Sequence, residues 1–494
     1  MSESTPSRDL RSSVIRGGMV LAGGQAAGQV FSFVRNMIVA GVLTKGDFGI
    51  ASYFALTLSV LEMLSDMAVD KLLIQAEDGD DERLQGAAHV YQFLRGLAIG
   101  AMLLVLAAPV ASLFGAPESA PAFQALALLP LARGLAHLDV RRVQRGMRFG
   151  PNTWVYVVPQ AISALLAWPV TVWIGNYWAV LWLIVGQGAL MSVMSHIIAE
   201  RPYRWSWGGA HFGRIFRFGW PLILNGLLLL GVVHGDRLLI AKFLSAEDMG
   251  VFSLALLMAM TPMALIAKVM GDLMLPICSR PVHDGGSQTR YTRMMSAYLL
   301  VALLLALGAI GMSGPVLVWL FGAKYVDAIA VLQWLGVANA IRIVRAGFIL
   351  QSVANGDTVT SMWTSAGRLV GVPLAAVAIF QELGLVWIAG AALVGELVAL
   401  VPGVIRLRRS HSLSNLPLVP VFIACVALAA LLAGATDLVD SLWLQASLTL
   451  GMCGGVGIVV LRTGNRFIHD EQHRWNGDQR TQPTQAHSEL PAPV

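Results

Sequence analysis

Leu43-Thr44-Lys45-Gly46-Asp47-Phe48-Gly49-Ile50 returns 201 positions later as Leu244-Ser245-Ala246-Glu247-Asp248-Met249-Gly250-Val251. The shared pattern is L-x-x-x-D-x-G, and each copy is a polar turn between two long apolar runs. A second match follows at an offset of 207. Leu113-Phe114-Gly115-Ala116 resembles Leu320-Phe321-Gly322-Ala323, and Gln144 falls opposite Gln351. Near-constant offsets, in register with the surrounding apolar runs, point to a duplicated six-span unit. Six is even, so both halves start on the same side of a membrane. That is a parallel repeat, related by an axis along the membrane normal. Two such bundles leave a cleft between them.

Composition supports spans. Of 494 residues 56% are apolar and 13% charged, with a mean hydropathy of +0.67. A soluble domain carries about 25% charge, so a soluble enzyme, a disordered chain and a collagen-like repeat are excluded. The apolar runs are continuous, unlike the alternating strands of a transmembrane barrel. At about 20 apolar residues per helix, fourteen segments fit: approximately 17–43, 48–70, 88–113, 121–141, 151–174, 177–199, 217–241, 249–276, 292–321, 326–351, 358–380, 384–405, 416–435 and 441–463. The expected fold is an all-α polytopic membrane protein. Its parts are a cytoplasmic N-terminus (1–16), an N-lobe of six spans (17–199) and a cytoplasmic linker (200–216). A C-lobe of six spans (217–405), two further helices (416–463) and a disordered cytoplasmic tail (464–494) follow.

Charge tests the span count. With the N-terminus in the cytoplasm, 23 of the 34 Lys and Arg residues fall in cytoplasmic segments. The outer loops hold three, Lys45, Lys242 and Lys324, and eight lie inside spans. This asymmetry predicts both termini inside.

Ionisable groups at membrane depth are costly and usually face a cavity or a partner. In the first span Gln25, Gln29, Ser32 and Asn36 share a helical face, with Arg35 beside it. Arg237 sits one residue off the equivalent place in the seventh span, preceded by Asn225 and His234. One reading is a cationic cleft in which Arg35 and Arg237 hold a phosphate in forked geometry. The other is that they snorkel to the interface or pair with Asp236 and its neighbours. Arg342 and Arg345, three apart with Asn339, and also Arg95 and Arg133, could line the cytoplasmic mouth or anchor their helices. Arg368 and Glu396 are further interior charges. Glu62, Asp66 and Asp70, four apart on one expected helix, repel each other. At least one needs a raised pKa or a cationic partner, and Glu62 and Asp66 are candidates for H+ or Na+ coupling. Lys268 and Asp272 have the spacing of a local ion pair.

Eight span prolines suit bent helices without proving them. Cys278, Cys425 and Cys453 form no CxxC pair and read as packing residues. There is no GxxxxGK[ST], HExxH or GxSxG motif and no metal or organic cofactor signature. A carrier is expected rather than an enzyme, and nucleic acid is not an expected partner.

Three stretches carry a family resemblance: Phe33-Val34-Arg35-Asn36, Leu43 through Ser52, and Asp66-Met67-Ala68-Val69-Asp70-Lys71-Leu72-Leu73-Ile74-Gln75. They resemble the polysaccharide-transporter branch of the multidrug/oligosaccharidyl-lipid/polysaccharide flippase superfamily, the repeat-unit flippases of O-antigen and exopolysaccharide. The resemblance implies a MATE-like pair of six-helix lobes in the bacterial inner membrane. It also implies alternating access, and undecaprenyl-pyrophosphate-linked glycan as the cargo. It leaves open whether a polysaccharide polymerase or a chain-length regulator binds. Of the arginines, only Arg35 falls in a segment that fits the family pattern. The alternatives are a multidrug antiporter of the same superfamily, a lipid II flippase, and a membrane-embedded glycan polymerase or ligase.

Overall fold

A computed structural model describes residues 6–278, 286–354 and 357–410. The expected helices 416–435 and 441–463, the tail, Cys425 and Cys453 lie outside the described residues. Within them every element is helical.

The first half comprises α1 (Pro6–Val42), α2 (Lys45–Ser65), α3 (Val69–Gln75), α4 (Glu82–Leu113), α5 (Ala120–Ala125), α6 (Leu128–Gly134), α7 (Asp139–Arg145), α8 (Gly150–Ile174) and α9 (Trp178–Ile198). The second comprises α10 (Gly209–Phe243), α11 (Ala246–Cys278), α12 (Gly286–Phe321), α13 (Ala328–Ala354), α14 (Thr358–Ala366), α15 (Gly371–Phe380) and α16 (Leu385–Ser410). Among the described residues nine helices are long and apolar enough to cross a membrane. Counting α10, which bends by 41° between Gly209–Leu227 and Leu229–Phe243, gives ten. The expected count of fourteen exceeds this for three reasons. Its last two segments are not described, the polar stripe of α1 lowers that helix's hydropathy, and the fourth segment is broken.

Several expected boundaries need correction. Segment 48–70 is two helices: Asp66 turns back to accept the Ala68 N–H at 2.9 Å, and Ala68 adopts φ 48°. Glu62, Asp66 and Asp70 therefore sit on α2, its C-cap and α3, not on one helix. Segment 121–141 is three short helices, with His137 in the connection between α6 and α7. Arg133 and His137, four positions apart, are thus not on one helix. Segment 358–380 is interrupted by a 3₁₀ turn at Gly367–Val370. The inter-lobe connection ends at Gly208, because α10 begins at Gly209 rather than at 217.

The repeat explains how the halves meet. Thr44 Oγ1 accepts the Asp47 N–H at 3.0 Å, and Ser245 Oγ accepts the Asp248 N–H at 3.1 Å. Each aspartate accepts the hydroxyl in return. The conserved spacing between the two copies is thus a helix cap that starts α2 and α11. The glycine of each copy faces the other copy. A Cβ on Gly49 would overlap the Ala246 carbonyl, and one on Gly250 would overlap the Lys45 carbonyl. Lys45 and Ala246 are themselves repeat partners, so this α2–α11 crossing is two-fold symmetric, as at an isologous interface. In the second repeat pair, Gly115 and Gly322 adopt φ 66° and 62°, which favours glycine.

The end holding the two capped turns is the upper end. There one continuous core joins the lobes, running from Leu43, Phe54 and Phe123 through Met249 and Phe252 to Tyr325 and Ile388. Lys324 reaches across to the carbonyls of Ala40, Gly41 and Leu43, and Lys45 pairs with Asp327. At the lower end the core divides. One part is built on Tyr298, Ile341 and Phe348, the other on Leu72, Leu73 and Leu84 with Ile215 of α10.

Candidate functional site

The break between α2 and α3, the α6–α7 connection and helices α4, α8 and α9 surround a cavity of about 670 Å³. It runs from the lower end towards the middle of the first lobe. Its lining includes Ser59, Glu62, Asp66, Asp70, Arg95, Arg133, Arg141, Tyr156, Gln160 and Gln187, all from this lobe. The cavity is therefore not the cleft between bundles that the repeat suggested.

The three carboxylates each have a guanidinium. Glu62 pairs with Arg133, Asp66 with Arg95 at 3.6 Å, and Asp70 with Arg141 at 2.7 Å. The expected repulsion is relieved by a ladder of cationic partners, one rung per acid. Arg95 also donates to Ser65 Oγ at 3.0 Å, which ties α4 to the end of α2. The Nε atoms of Arg133 and Arg141 and Oε1 of Gln160 are buried without a protein partner. Buried polar atoms of this kind are usually satisfied, so their presence around one cavity suits a polar occupant.

Arg35 is buried and has neutral partners. It donates to Gln187 of α9, to Asn36 Oδ1 at 3.2 Å and to Ser32 Oγ at 3.5 Å. Among the described residues it makes no ion pair. Gln187 lines the cavity, so Arg35 sits directly behind its wall. The face of α1 bearing Gly24 and Gly28 packs on Thr153 and Tyr156 of α8. Gln25 and Gln29 remain exposed, and Gln25 accepts from Lys268 of α11 in the other lobe. Lys268 therefore has a partner other than the Asp272 its spacing suggested. Asn225 is exposed on α10.

Arg237 does not pair with the Asp236 carboxylate, which accepts the Arg237 backbone N–H at 2.7 Å. Its guanidinium donates to Val233 O at 3.1 Å and to His234 Nδ1 at 2.8 Å. His234 Nε2 lies 2.9 Å from Ser59 Oγ across the lobes. In the second lobe Arg342, Arg345 and Arg368 converge on one carboxylate, Glu396, at 2.7, 3.0 and 2.8 Å. Glu396 is 1% exposed, so a net charge of two remains inside the bundle.

The structure thus brings Arg95, Arg133, Glu62 and Asp66 together on the cavity and places Arg35 behind it. Arg342 and Arg345 form a separate cluster, and Gln25, Gln29, Asn36, Asn225 and Arg237 lie off the cavity lining. Sequence reasoning missed Arg141, counted there as a cytoplasmic loop charge, and the isolated Tyr156, Gln160 and Gln187. It noted Arg368 and Glu396 as interior charges without joining them to Arg342 and Arg345.

The connection between the lobes is pinned beneath this site. Asp139, fully buried, accepts from Arg142 at 2.6 Å and from the Glu200 N–H at 2.8 Å. Glu200 in turn accepts from Arg142 and Arg148 at 2.9 and 2.8 Å, which holds its carboxyl below the ordinary glutamate value. Arg214 of α10 does the same for Asp78. His89 and His137 bond the Arg204 and Arg201 carbonyls, both at 3.0 Å.

Comparison with known proteins follows the same lines. Residues 38–330 match the family model described as polysaccharide biosynthesis protein. The succinoglycan biosynthesis transport protein ExoT of Rhizobium meliloti is 21% identical over 346 residues, 68% of each chain. The EPS I polysaccharide export inner membrane protein EpsE of Ralstonia solanacearum is 24% identical over 363 residues, 68% of this chain and 82% of its own. Among solved structures, the lipid II flippase MurJ in an inward closed conformation superposes with a TM-score of 0.68. It is 13% identical, over 90% of this chain and 99% of its own. An inward-facing MATE multidrug transporter gives 0.59 at 13% identity, over 78% and 96%. At these identities the structural likeness carries the fold alone. The chain belongs to the polysaccharide biosynthesis protein family.

Proposed function

We propose that this chain carries an undecaprenyl-pyrophosphate-linked oligosaccharide from the cytoplasmic to the periplasmic leaflet of the bacterial inner membrane. It acts as a carrier, by alternating access of its two lobes. The observation that supports this reading most is the excess of guanidinium over carboxylate at membrane depth. Arg35 has neutral partners, and three arginines share Glu396. Charge of that sign costs free energy to bury and suits a pyrophosphate headgroup. The polar cavity wall, with Tyr156, Gln160 and Gln187, suits the attached sugars. With the arginine-rich lower end in the cytoplasm, the described state is sealed on the periplasmic side and its cavity faces the leaflet where the cargo is made. In this reading the upper seam is the barrier that opens in the second half of the cycle.

The test is deletion of the gene in its host, followed by measurement of lipid-linked oligosaccharide and surface polysaccharide. Accumulation of the lipid-linked pool with loss of surface glycan is expected. Arg35→Ala, at normal protein level, should leave both defects uncorrected. Unchanged pools in the deletion strain would sink the reading and make drug efflux the next assay.

A further inference from the structure

We propose that His234 is a proton-binding site. In either state its Nε2–H ties the two lobes together; protonated at Nδ1, it also frees Arg237 for an anionic ligand. Only the identity of that anion rests on the function proposed above.

A guanidinium has donors and no acceptor, so the 2.8 Å contact from Arg237 requires the lone pair of His234 Nδ1. The neutral ring then carries its hydrogen on Nε2 and donates it to Ser59 Oγ at 2.9 Å. Ser59 belongs to α2 and lines the cavity, whereas His234 belongs to α10. This bond therefore joins the lobes below the upper seam, behind the cavity wall at Ser59.

Protonation has one place to occur. A proton binds the Nδ1 lone pair, and no covalent bond breaks. The imidazolium has no acceptor left, so the Arg237 contact is lost and two positive charges face each other. Arg237 must then turn elsewhere. Its Nε is already buried without a protein partner. The released group offers adjacent N–H donors to an oxyanion, in the geometry suited to phosphate. An anion there offsets the added charge, so proton and anion promote each other's binding.

The surrounding charges are committed elsewhere. On α2, Glu62 holds Arg133 and Asp66 holds Arg95. In the Gly367–Val370 turn, Arg368 holds Glu396. On α10 itself, Asp236 accepts the Arg237 backbone N–H. α15 presents Val372 beside Gly235 and contains no ionisable residue. Arg237 is thus the charged group in contact with the ring. Each carboxylate of the cavity ladder already has a guanidinium partner.

The experiment places spin labels at Trp154 of α8 and Val401 of α16, both exposed, in the full chain with its three cysteines replaced by serine. Inter-lobe distances are measured in lipid nanodiscs from about pH 8 down to about pH 3.5, through the histidine range and below it. The charged ring donates more strongly to Ser59, so the wild-type background should shift towards a single, closed inter-lobe distance population as pH falls. His234→Gln should abolish that response, and Arg237→Gln should move its midpoint to higher pH by removing the like charge. A pH-insensitive parent, or an identical response in His234→Gln, overturns the proposal. Should His234→Gln fail to fold, an unmoved midpoint in Arg237→Gln overturns it instead. Undecaprenyl pyrophosphate, added as the probe, should raise the midpoint of the parent protein. A response that depends on His234 but ignores this lipid keeps the proton site and removes the proposed cargo.

Discussion

Both lobes bury arginine against carboxylate, but in different ratios. In the first lobe Glu62, Asp66 and Asp70 each meet one arginine beside the cavity of about 670 Å³, and their side chains are 42–58% exposed. In the second, Glu396 meets three arginines and is 1% exposed. A one-to-one pair next to water is close to neutral in charge and in free energy. A single carboxylate under three guanidiniums is a charged knot that holds only while that carboxylate remains. The first lobe's groups can therefore exchange partners at little cost, while the second lobe's cluster fixes α13 and α16 to the turn before α15.

Removing the acids one at a time breaks the comparison most directly. Glu396→Ala leaves three guanidiniums without a counterion inside the bundle. A loss of about 3–5 kcal/mol is expected, as for an orphaned buried pair, read as a large fall in thermal midpoint in detergent. Glu62→Ala at the half-exposed rung should cost under about 1 kcal/mol. Equal losses would show that partner number and burial do not separate the lobes.

The upper seam is the place where the lobes should behave alike. Gly49→Val and Gly250→Val each press a side chain onto the opposing backbone carbonyl. Each should cost about 1–3 kcal/mol by overpacking and part the lobes at that end. The paired contacts are related by the repeat, so the two losses should match. If one substitution is silent, the seam is not symmetric and the repeat is a local capping motif only.

Much of this architecture is legible in the sequence, because continuous apolar runs and capped polar turns are local signals. The L-x-x-x-D-x-G copies announce both the caps and the duplication. The use of their glycines at the α2–α11 crossing does not show, since a close approach depends on the partner helix. The helix breaks were also hidden. Asp66 caps its own turn inside a run that still reads as one segment, and the interruption at Gly367–Val370 keeps helical hydropathy. Charge partners were least legible. Arg342 and Glu396 are 54 positions apart, and no periodicity links them. Repulsion among Glu62, Asp66 and Asp70 correctly demanded cations, but Arg141 looked like an ordinary loop charge. The cavity needed the folded first lobe, because its neutral lining comes from isolated residues such as Tyr156 and Gln187.

The smallest expected effect sharpens burial as the deciding variable. Glu200 has two arginines, Arg142 and Arg148, one fewer than Glu396, and it holds them at the solvent. Both hydrogen bonds depress its pKa, as the Arg214 bonds depress that of Asp78. A depressed carboxylate contributes stability that is full above its unfolded pKa and is lost as pH falls through its folded value. The expected window lies on the acid side of the ordinary carboxylate range, with no change near neutrality. Amide hydrogen exchange should then rise in residues 199–208 on acidification, while α13 and α16 stay protected. Glu200→Gln should bring that rise to neutral pH and leave the thermal midpoint nearly unchanged. A large fall in midpoint would mean that the arginine ratio, rather than burial, sets the strength of these clusters.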